Sequence, residues 1–268
     1  MAKNQLFFKC LNHFITFYAY FGLLFALFWI YCIVIPEYFE KYSLSQTFYI
    51  LFNIFFLYFY IQGYTNLILT TISRYFLRTN KHSLTASDFF CPKCNSYSNN
   101  RSHHCTLCNY CVPLRDHHCF FVGVCVGSHN KRYFMLMLFH LWWAHIIGYS
   151  FIWSYMWKEI GGFCLETILK ILFFNIAYLI GYINSMWIVL ICLLHYLVFI
   201  DLILLSGIQY QMVKRLIRGQ TQYEEKKNII DPTYKKGEEF YRIFGGKRFF
   251  WIFLNPLYRQ NLSLGNYI

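Results

Sequence analysis

The chain has 268 residues, of which 57% are hydrophobic and only 13% are charged, whereas a soluble domain has about 25% charged residues. This composition excludes an ordinary soluble fold, because apolar surface on this scale needs lipid to cover it. The formal net charge of +12 is compatible with a nucleic-acid partner or with an anionic membrane face. Its distribution along the chain, described below, favours the membrane.

Four apolar runs are each long enough to cross a bilayer as a helix, which takes about 20 residues. They occupy residues 14–35, 46–72, 133–157 and 183–205. The first run ends at Pro36, and Glu37, Glu40 and Lys41 predict a short turn after it. The sequence therefore predicts an α-helical integral membrane protein with four transmembrane helices.

Residues 167–181 are also apolar, but they are few for a span and include Lys170. A fifth crossing would move the basic C-terminal tail to the opposite side of the membrane, against the bias of the Lys and Arg residues. We therefore expect an interfacial or lumenal helix in this stretch.

The Lys and Arg residues concentrate on one side of a four-span arrangement. Both termini and the polar segment between spans two and three share that side, and all but three of the 24 Lys and Arg residues lie there. The exceptions are Lys41, Lys158 and Lys170. The positive-inside rule places the basic side in the cytosol, where disulfides are disfavoured.

The predicted domains follow from this layout. They are an N-terminus with helices one and two (1–80), a cysteine-rich segment (81–132), helices three and four with a lumenal loop (133–208), and a cytosolic tail (209–268). We expect no internal repeat.

The segment from Cys91 to Cys125 contains most of the cysteines of the chain. Short Cys-x2-Cys spacing lets two thiolates of one turn reach one zinc ion, and zinc prefers four tetrahedral Cys or His ligands. Eight donors are enough for two such sites: Cys91, Cys94, His104, Cys105, Cys108, Cys111, His118 and Cys125. Metal binding can supply the folding free energy that this segment, with few apolar residues, lacks.

Cys119 follows directly on Asp116, His117 and His118. A thiolate is the reactive form of cysteine, and a neighbouring imidazole oriented by a carboxylate can generate it. Asp116, His117 and Cys119 thus fit the logic of a catalytic triad. From spacing alone, Cys119 is equally well a zinc ligand, and both interpretations stay open at this point.

The segment resembles the cysteine-rich domain of the DHHC protein S-acyltransferases, or palmitoyltransferases. The matching residues are Cys91-x2-Cys94, Arg101-Ser102-His103-His104-Cys105, Cys108-x2-Cys111, Arg115-Asp116-His117-His118-Cys119, Cys125-Val126-Gly127 and Asn130. The resemblance implies four transmembrane helices with a cytosolic two-zinc domain between helices two and three.

The resemblance also implies how the donors divide. One structural zinc would be held by Cys91, Cys94, His104 and Cys111, and the other by Cys105, Cys108, His118 and Cys125. Cys119 would be the nucleophile, with His117 as its base and Asp116 orienting His117.

The implied reaction moves a long-chain acyl group, such as palmitoyl, from acyl-CoA to Cys119 and then to a cysteine of a substrate protein. The expected partners are the membrane, acyl-CoA and cytosolic-face proteins with membrane-proximal cysteines, in ER or Golgi membranes. Arg115, Lys131 and Arg132 flank the nucleophile and are candidates for binding CoA phosphates, although their charge also fits the positive-inside rule. We expect no nucleic-acid partner, because the basic charge follows topology.

The chain departs from the family pattern in several places. Phe121 stands where a Trp is common, Val124 where an Asn is usual, and Gln222 where a Thr-Thr-x-Glu motif has its second Thr. The resemblance implies that this Thr helps to position the catalytic Asp, and a Gln amide can still form a hydrogen bond. A C-terminal family motif survives only in part, at Asp231-Pro232, Tyr234 and Gly237. These departures leave a second hypothesis open, a catalytically silent zinc-domain membrane adaptor.

Overall fold

The computed structural model describes residues 2–43, 45–79, 89–98, 101–162, 164–229, 237–245 and 253. The helices are α1 (Ala2–Trp29), α2 (Ile35–Lys41), α3 (Gln46–Thr79), α4 (Lys131–Ile160), α5 (Leu165–Leu172), α6 (Phe174–Leu179), α7 (Met186–Arg218), α8 (Gln222–Lys226) and α9 (Glu238–Phe244). The strands are β1 (Phe89–Cys91), β2 (Ser96–Ser98), β3 (Ser102–Cys105), β4 (Tyr110–Pro113), β5 (His117–Cys119) and β6 (Val124–Val126). Asp231, Pro232 and Tyr234, and the boundary predicted between residues 80 and 81, lie outside the described residues.

Within the described part of the chain, four helical stretches are long and apolar enough to cross a membrane: Gln5–Glu40, Gln46–Arg74, Lys131–Trp157 and Met186–Arg218. Large apolar side chains on them are exposed, including Phe14 at 68% and Ile54 at 62%. An aqueous surface would not tolerate so many exposed aromatic and aliphatic groups, whereas lipid does. The predicted multi-pass membrane protein with four helices is confirmed.

The turn predicted after Pro36 is wrong, because Glu37, Glu40 and Lys41 belong to α2. A π-helical turn, Ile30–Val34, connects α1 to α2, and Pro36 lies in the first turn of α2. A π-turn provides the local adjustment that lets a helix continue past a proline, whose ring otherwise clashes with the preceding turn.

The stretch predicted to hold an interfacial or lumenal helix forms two short helices, α5 and α6, which meet at Phe173. Neither is long enough to span a bilayer. Leu165 at 71% and Leu179 at 82% are among their most exposed side chains. The location of the pair at a membrane surface stays a prediction.

Helix α7 extends well beyond its apolar run, which ends near residue 205. Its last turn contains Arg215 and Arg218, whose charges interact favourably with the negative end of the helix dipole. The extension places basic side chains directly before Thr221, the N-cap residue of α8.

The chain divides into two compact units. One comprises Gly22–Ile61 and His140–Gly207, and several aromatic rings pack against one another within it. The rings of Phe52 and Phe151 lie 4.3 Å apart between centroids. Gly148 permits close helix packing there, since a Cβ atom at this position would lie 3.2 Å from Ile30.

The other unit comprises Met1–Phe21, Gln62–Phe139 and Ile208–Ile268. A buried cluster joins α4, α7 and α9 through Leu136, Leu216, Ile243 and Phe244. The same unit contains the six strands, which pair as three antiparallel hairpins, β1 with β2, β3 with β4 and β5 with β6.

The three hairpins form an internal repeat of 14 residues, so the expectation of no repeat is wrong. Cys91, Cys105 and Cys119 each end the first strand of a hairpin. The last residue of each turn has a positive φ: 50° at Asn95, 59° at Asn109 and 76° at Gly123. Asn and Gly are the residues that adopt this conformation most readily, which explains why they recur at this interval.

Candidate metal centres and active site

The first Cys/His cluster joins the first and second hairpins. Cys91 and Cys94 lie at the first turn, and His104 and Cys111 are directly opposed across β3 and β4. Nδ1 of His104 lies 3.1 Å from Sγ of Cys94 and 3.8 Å from Sγ of Cys91. Sγ of Cys94 lies 3.6 Å from Sγ of Cys111.

The second cluster repeats this arrangement one hairpin further on. Cys105 and Cys108 lie at the second turn, and His118 and Cys125 are opposed across β5 and β6. Nδ1 of His118 lies 3.6, 3.3 and 3.7 Å from the sulfurs of Cys105, Cys108 and Cys125. Each cluster thus combines a Cys-x2-Cys turn with the His/Cys pair of the following hairpin.

The two clusters fit zinc in both chemistry and size. Tetrahedral zinc with bonds of about 2.3 Å to sulfur and about 2.0 Å to nitrogen separates its ligand atoms by about 3.5 to 3.8 Å. The ligand atoms of each cluster all lie within 4.8 Å of one another. Thiolates and imidazoles without carboxylates favour zinc over calcium or magnesium. The segment between α3 and α4 is therefore a zinc-binding region.

Asn12 of α1 fixes the orientation of His118. Nε2 of His118 lies 2.9 Å from Oδ1 of Asn12, which can only accept a hydrogen bond. His118 therefore has its proton on Nε2 and leaves Nδ1 free for a metal.

Cys119 belongs to neither cluster among the described residues. It occupies the position in the third hairpin that Cys91 and Cys105 occupy in the first two. Val122 stands where the second cysteine of the turn would be, and β6 is the last strand of the described region. The repeat therefore leaves Cys119 without the metal-binding partners that Cys91 and Cys105 have. Cys119 is buried, with 7% of the residue exposed.

Helices α1 and α3 hold the turn that follows Cys119. Oγ1 of Thr16 donates to the carbonyl of Phe120 at 2.8 Å, and Oγ1 of Thr71 donates to that of Val122 at 3.2 Å. A Cβ atom at Gly123 would lie 2.7 Å from Oγ1 of Thr16. The close approach of α1 thus depends on a glycine in this turn.

Asn130 connects the end of the zinc-binding region to α3. Its fully buried side chain donates to the carbonyls of Cys125 at 3.0 Å and Thr70 at 3.1 Å, and accepts from the amide of Gly127 at 2.9 Å. Three hydrogen bonds to main-chain groups explain why an amide suits this position.

Asp116 and His117 form a buried pair beside Cys119. Nδ1 of His117 lies 2.7 Å from Oδ2 of Asp116, and the imidazole makes a T-shaped contact with the Phe134 ring. Burial lowers the pKa of His117, but the hydrogen bond to Asp116 and the contact with Cys119 outweigh burial and raise that pKa to about 9. The ring is therefore a good proton acceptor directly beside a thiol.

Asp116 is only 2% exposed and is held by several groups. Its Oδ1 accepts from the main-chain amide of Gln222 at 3.0 Å, and Nη2 of Arg215 lies 3.5 Å from its Oδ2. Burial raises the pKa of Asp116, but the His117 hydrogen bond and the charges of His117, Lys131 and Arg215 lower it below its usual range. The carboxylate therefore stays ionised despite its burial.

Helix α8 is fixed to the zinc-binding region through Glu224 and Tyr223. Thr221 and Glu224 form a capping box. Glu224 also forms a bidentate ion pair with Arg101, whose Nε and Nη2 donate to Oε1 and Oε2 at 2.7 and 2.9 Å. Tyr223 stacks on His103 with 3.7 Å between ring centroids. These contacts place the first amide of α8 against Asp116.

The three candidate CoA-binding residues have different surroundings. Lys131 is 3% exposed and lies 3.5 Å from Glu239. The Arg115 guanidinium lies 6.0 Å from the Tyr223 ring centre, and that of Arg132 lies 5.2 Å from the Tyr133 ring centre. Their role in binding CoA stays a prediction.

The fold and these clusters define a multi-pass membrane protein with a zinc-binding region between its second and third spanning helices. A family model for the DHHC palmitoyltransferase domain matches residues 84–229, more than half of the chain. The chain belongs to this family, as its sequence indicated. No curated protein sequence matches it significantly.

Two contacts of the site, those of Asn12 and Arg215, are absent from the sequence-based prediction, and Gln222 reaches Asp116 through its main-chain amide, not through the side chain of the family motif. No local spacing indicates the first two, which come from helices far from the cysteines in sequence. The 14-residue interval is a signal that was present in the sequence. It places Cys119 with Cys91 and Cys105, and Val122, which stands where those two cysteines have a second cysteine, sets Cys119 apart.

Proposed function

We propose that this chain is a protein S-acyltransferase that transfers a long-chain acyl group through a thioester on Cys119. The observation that supports it best is the buried Asp116–His117 pair beside a cysteine that both metal clusters leave out. Membership of the palmitoyltransferase family supports the same reaction.

In the first stage, His117 takes the Cys119 proton and the thiolate attacks the carbonyl carbon of an acyl-CoA thioester. Nδ1 of His117 is engaged by Asp116, so Nε2 is the nitrogen that accepts this proton. A new carbon–sulfur bond forms to Cys119, the bond to CoA breaks, and the CoA thiolate takes the proton from His117. Asp116 stabilises the imidazolium that exists between these events.

In the second stage, a cysteine thiol of a substrate protein gives its proton to His117 and attacks the acyl group on Cys119. The Cys119 thiolate leaves and recovers the proton. Both stages exchange one thioester for another, so acyl-CoA is the only energy source required. An acyl chain of about 16 carbons gains about 0.8 kcal/mol for each CH2 group kept in an apolar environment, which suits a reaction at a membrane.

We propose that Cys91, Cys94, His104 and Cys111 hold one zinc ion and that Cys105, Cys108, His118 and Cys125 hold the second. When bound, the ions supply folding free energy to three hairpins that share little apolar core. The second set includes two residues of the hairpin that contains Cys119 and so fixes the nucleophile.

The charge distribution supports a cytosolic location for the zinc-binding region and both termini. Protein substrates would then present membrane-proximal cysteines at the cytosolic face of ER or Golgi membranes. The candidates for binding CoA phosphates are Arg115, Lys131 and Arg132. Lys131 is buried and paired with Glu239, which favours a structural role for it over direct contact with CoA.

The silent-adaptor alternative depends on the departures at Phe121, Val124 and Gln222. Gln222 contacts Asp116 through its main-chain amide, which any residue other than proline provides. This departure therefore leaves a hydrogen bond to the carboxylate intact and weakens the case for a silent protein.

Purified protein incubated with labelled palmitoyl-CoA is expected to acquire a hydroxylamine-labile label. Cys119→Ser should lose this label, because an alcohol is a far weaker nucleophile at neutral pH than a thiolate. Cys10→Ser is the matched control, since Cys10 is an exposed cysteine outside both clusters and its loss should leave the labelling rate unchanged. Equal labelling of wild type and Cys119→Ser would disprove the acyl-enzyme.

Asn12→Ala is expected to weaken zinc binding at the cluster that contains His118 about 10- to 100-fold. This is the usual cost of losing a hydrogen-bond partner of a metal-binding histidine. Competition with a graded series of chelators measures the two affinities separately. Gln5→Ala is the control, since Gln5 on the same helix donates to the main-chain carbonyl of Thr106 and not to a metal-binding histidine. Equal zinc retention by both variants would contradict the role of Asn12.

A further inference from the structure

We propose that Arg215 is a positioning residue for the reaction, which holds the Asp116 carboxylate in the orientation that His117 requires. This inference rests on the proposed acyltransferase function. It assigns a role to a residue outside the zinc-binding region and outside the family motifs found in the sequence.

Arg215 is buried at the end of α7, with its side chain 7% exposed. Nη2 lies 3.5 Å from Oδ2 of Asp116 and donates to Sδ of Met212 at 3.3 Å. Nη1 lies 4.0 Å from Oε2 of Glu225. A guanidinium removed from water in this way needs anionic neighbours, and Asp116 is the nearer of the two carboxylates.

The geometry at Asp116 explains what this contact does. Oδ1 accepts from the main-chain amide of Gln222, and Oδ2 faces both His117 and Arg215. Rotation of the carboxylate would take Oδ2 away from the imidazole and from the guanidinium together. Arg215 therefore resists the rotation that would release His117.

Neighbouring cations are placed differently. Lys131 lies 3.5 Å from Glu239, so its charge is shared with another carboxylate. Arg218 belongs to the same turn of α7 as Arg215, but it lies 3.4 Å from Glu225 and its side chain is 53% exposed. Arg218 thus provides a matched control that removes a similar side chain and one Glu225 contact without touching the Asp116 pair.

The test compares Arg215→Met, Arg215→Lys and Arg218→Met in the purified full-length protein. Methionine keeps much of the packing volume without the charge, and lysine keeps the charge without the planar fork. The measurements are the single-turnover rate of Cys119 acylation at saturating palmitoyl-CoA, the concentration for half-maximal rate, and the zinc bound per chain.

We expect Arg215→Met to lower the rate about 10- to 100-fold, as for other misplacements of a catalytic group. Arg215→Lys should recover part of this loss, and Arg218→Met should match wild type. Zinc content and the half-saturating palmitoyl-CoA concentration should stay unchanged in all three, because Arg215 acts on the chemical step.

Equal rates for Arg215→Met and Arg218→Met would overturn the inference. So would a loss of bound zinc in Arg215→Met with a normal rate per zinc-loaded chain, because that result assigns Arg215 to folding alone. Wild-type protein that forms no thioester at Cys119 would instead refute the proposed function, so the two failures are distinguishable.

Discussion

Cys108→Ala is expected to abolish Cys119 acylation and to unfold the third hairpin, whereas Cys94→Ala should mainly unfold the first. The two changes are chemically identical, and each removes the second cysteine of a Cys-x2-Cys turn. They differ in the zinc site that is lost. Cys108 clusters with His118 and Cys125 of the third hairpin, whereas Cys94 clusters with His104 and Cys111 of the second. A structural zinc ion contributes about 10 to 16 kcal/mol of binding free energy at neutral pH, more than a small domain can lose.

Two measurements check this result. Zinc analysis should give about one ion per chain for each variant, since each cluster is a closed set of four ligands. Amide hydrogen exchange should show lost protection at β5 and β6 in Cys108→Ala, and at β1 and β2 in Cys94→Ala. Cys10→Ala serves as the control for removing a thiol that belongs to neither cluster. Hairpins that keep their protection after zinc is removed would contradict a structural role for the metal.

The sequence predicts the zinc-binding region well because its constraints are local. A metal site built on Cys-x2-Cys turns needs short, fixed spacing, and that spacing is visible in one chain. The surplus of one cysteine over eight donors was also visible. Cys91, Cys105 and Cys119 follow one another at an interval of 14 residues. This interval identifies Cys119 as the surplus cysteine, because Val122 replaces the second cysteine of its turn.

The support of Asp116 could not be predicted from local spacing. The family resemblance pointed to position 222, but the hydrogen bond from the main-chain amide of Gln222 joins residues 106 positions apart, and Arg215 reaches Asp116 from the end of a spanning helix. Such contacts depend on where helices end and how they pack, and sequence periodicity determines neither. The wrong prediction of a turn at Glu37 has a related cause. Pro36 indicated the end of a helix, but a π-helical turn just before it lets the helix continue.

Gln222→Pro is expected to lower the rate of Cys119 acylation about 100-fold, the scale of loss when a catalytic group is misplaced by about 1 Å. Gln222→Ala should stay within about threefold of wild type. Proline removes the amide hydrogen that Oδ1 of Asp116 accepts at 3.0 Å, and its ring fills the space that this hydrogen bond occupied. The carboxylate must then move, whereas alanine leaves the main-chain donor in place.

The position is suited to this substitution, which makes a folding defect a poor explanation of the expected loss. Gln222 is the first residue of α8, where proline is favoured. The preceding Thr221 has φ −87° and ψ 162°, the extended conformation that a following proline requires. The capping box between Thr221 and Glu224 uses neither the amide nor the side chain of Gln222, so α8 should persist.

Zinc content and thermal stability close to wild type would show that the Gln222→Pro protein is folded, and the acylation rate then reports on Asp116. Gln222→Thr restores the family residue and should be at least as active as wild type, because it keeps the amide and adds a hydroxyl. If Gln222→Ala loses as much activity as Gln222→Pro, the side chain holds Asp116 and the main-chain account is wrong. If Gln222→Pro is fully active, Asp116 does not need this donor, and the departure from the family motif has no catalytic consequence through Asp116.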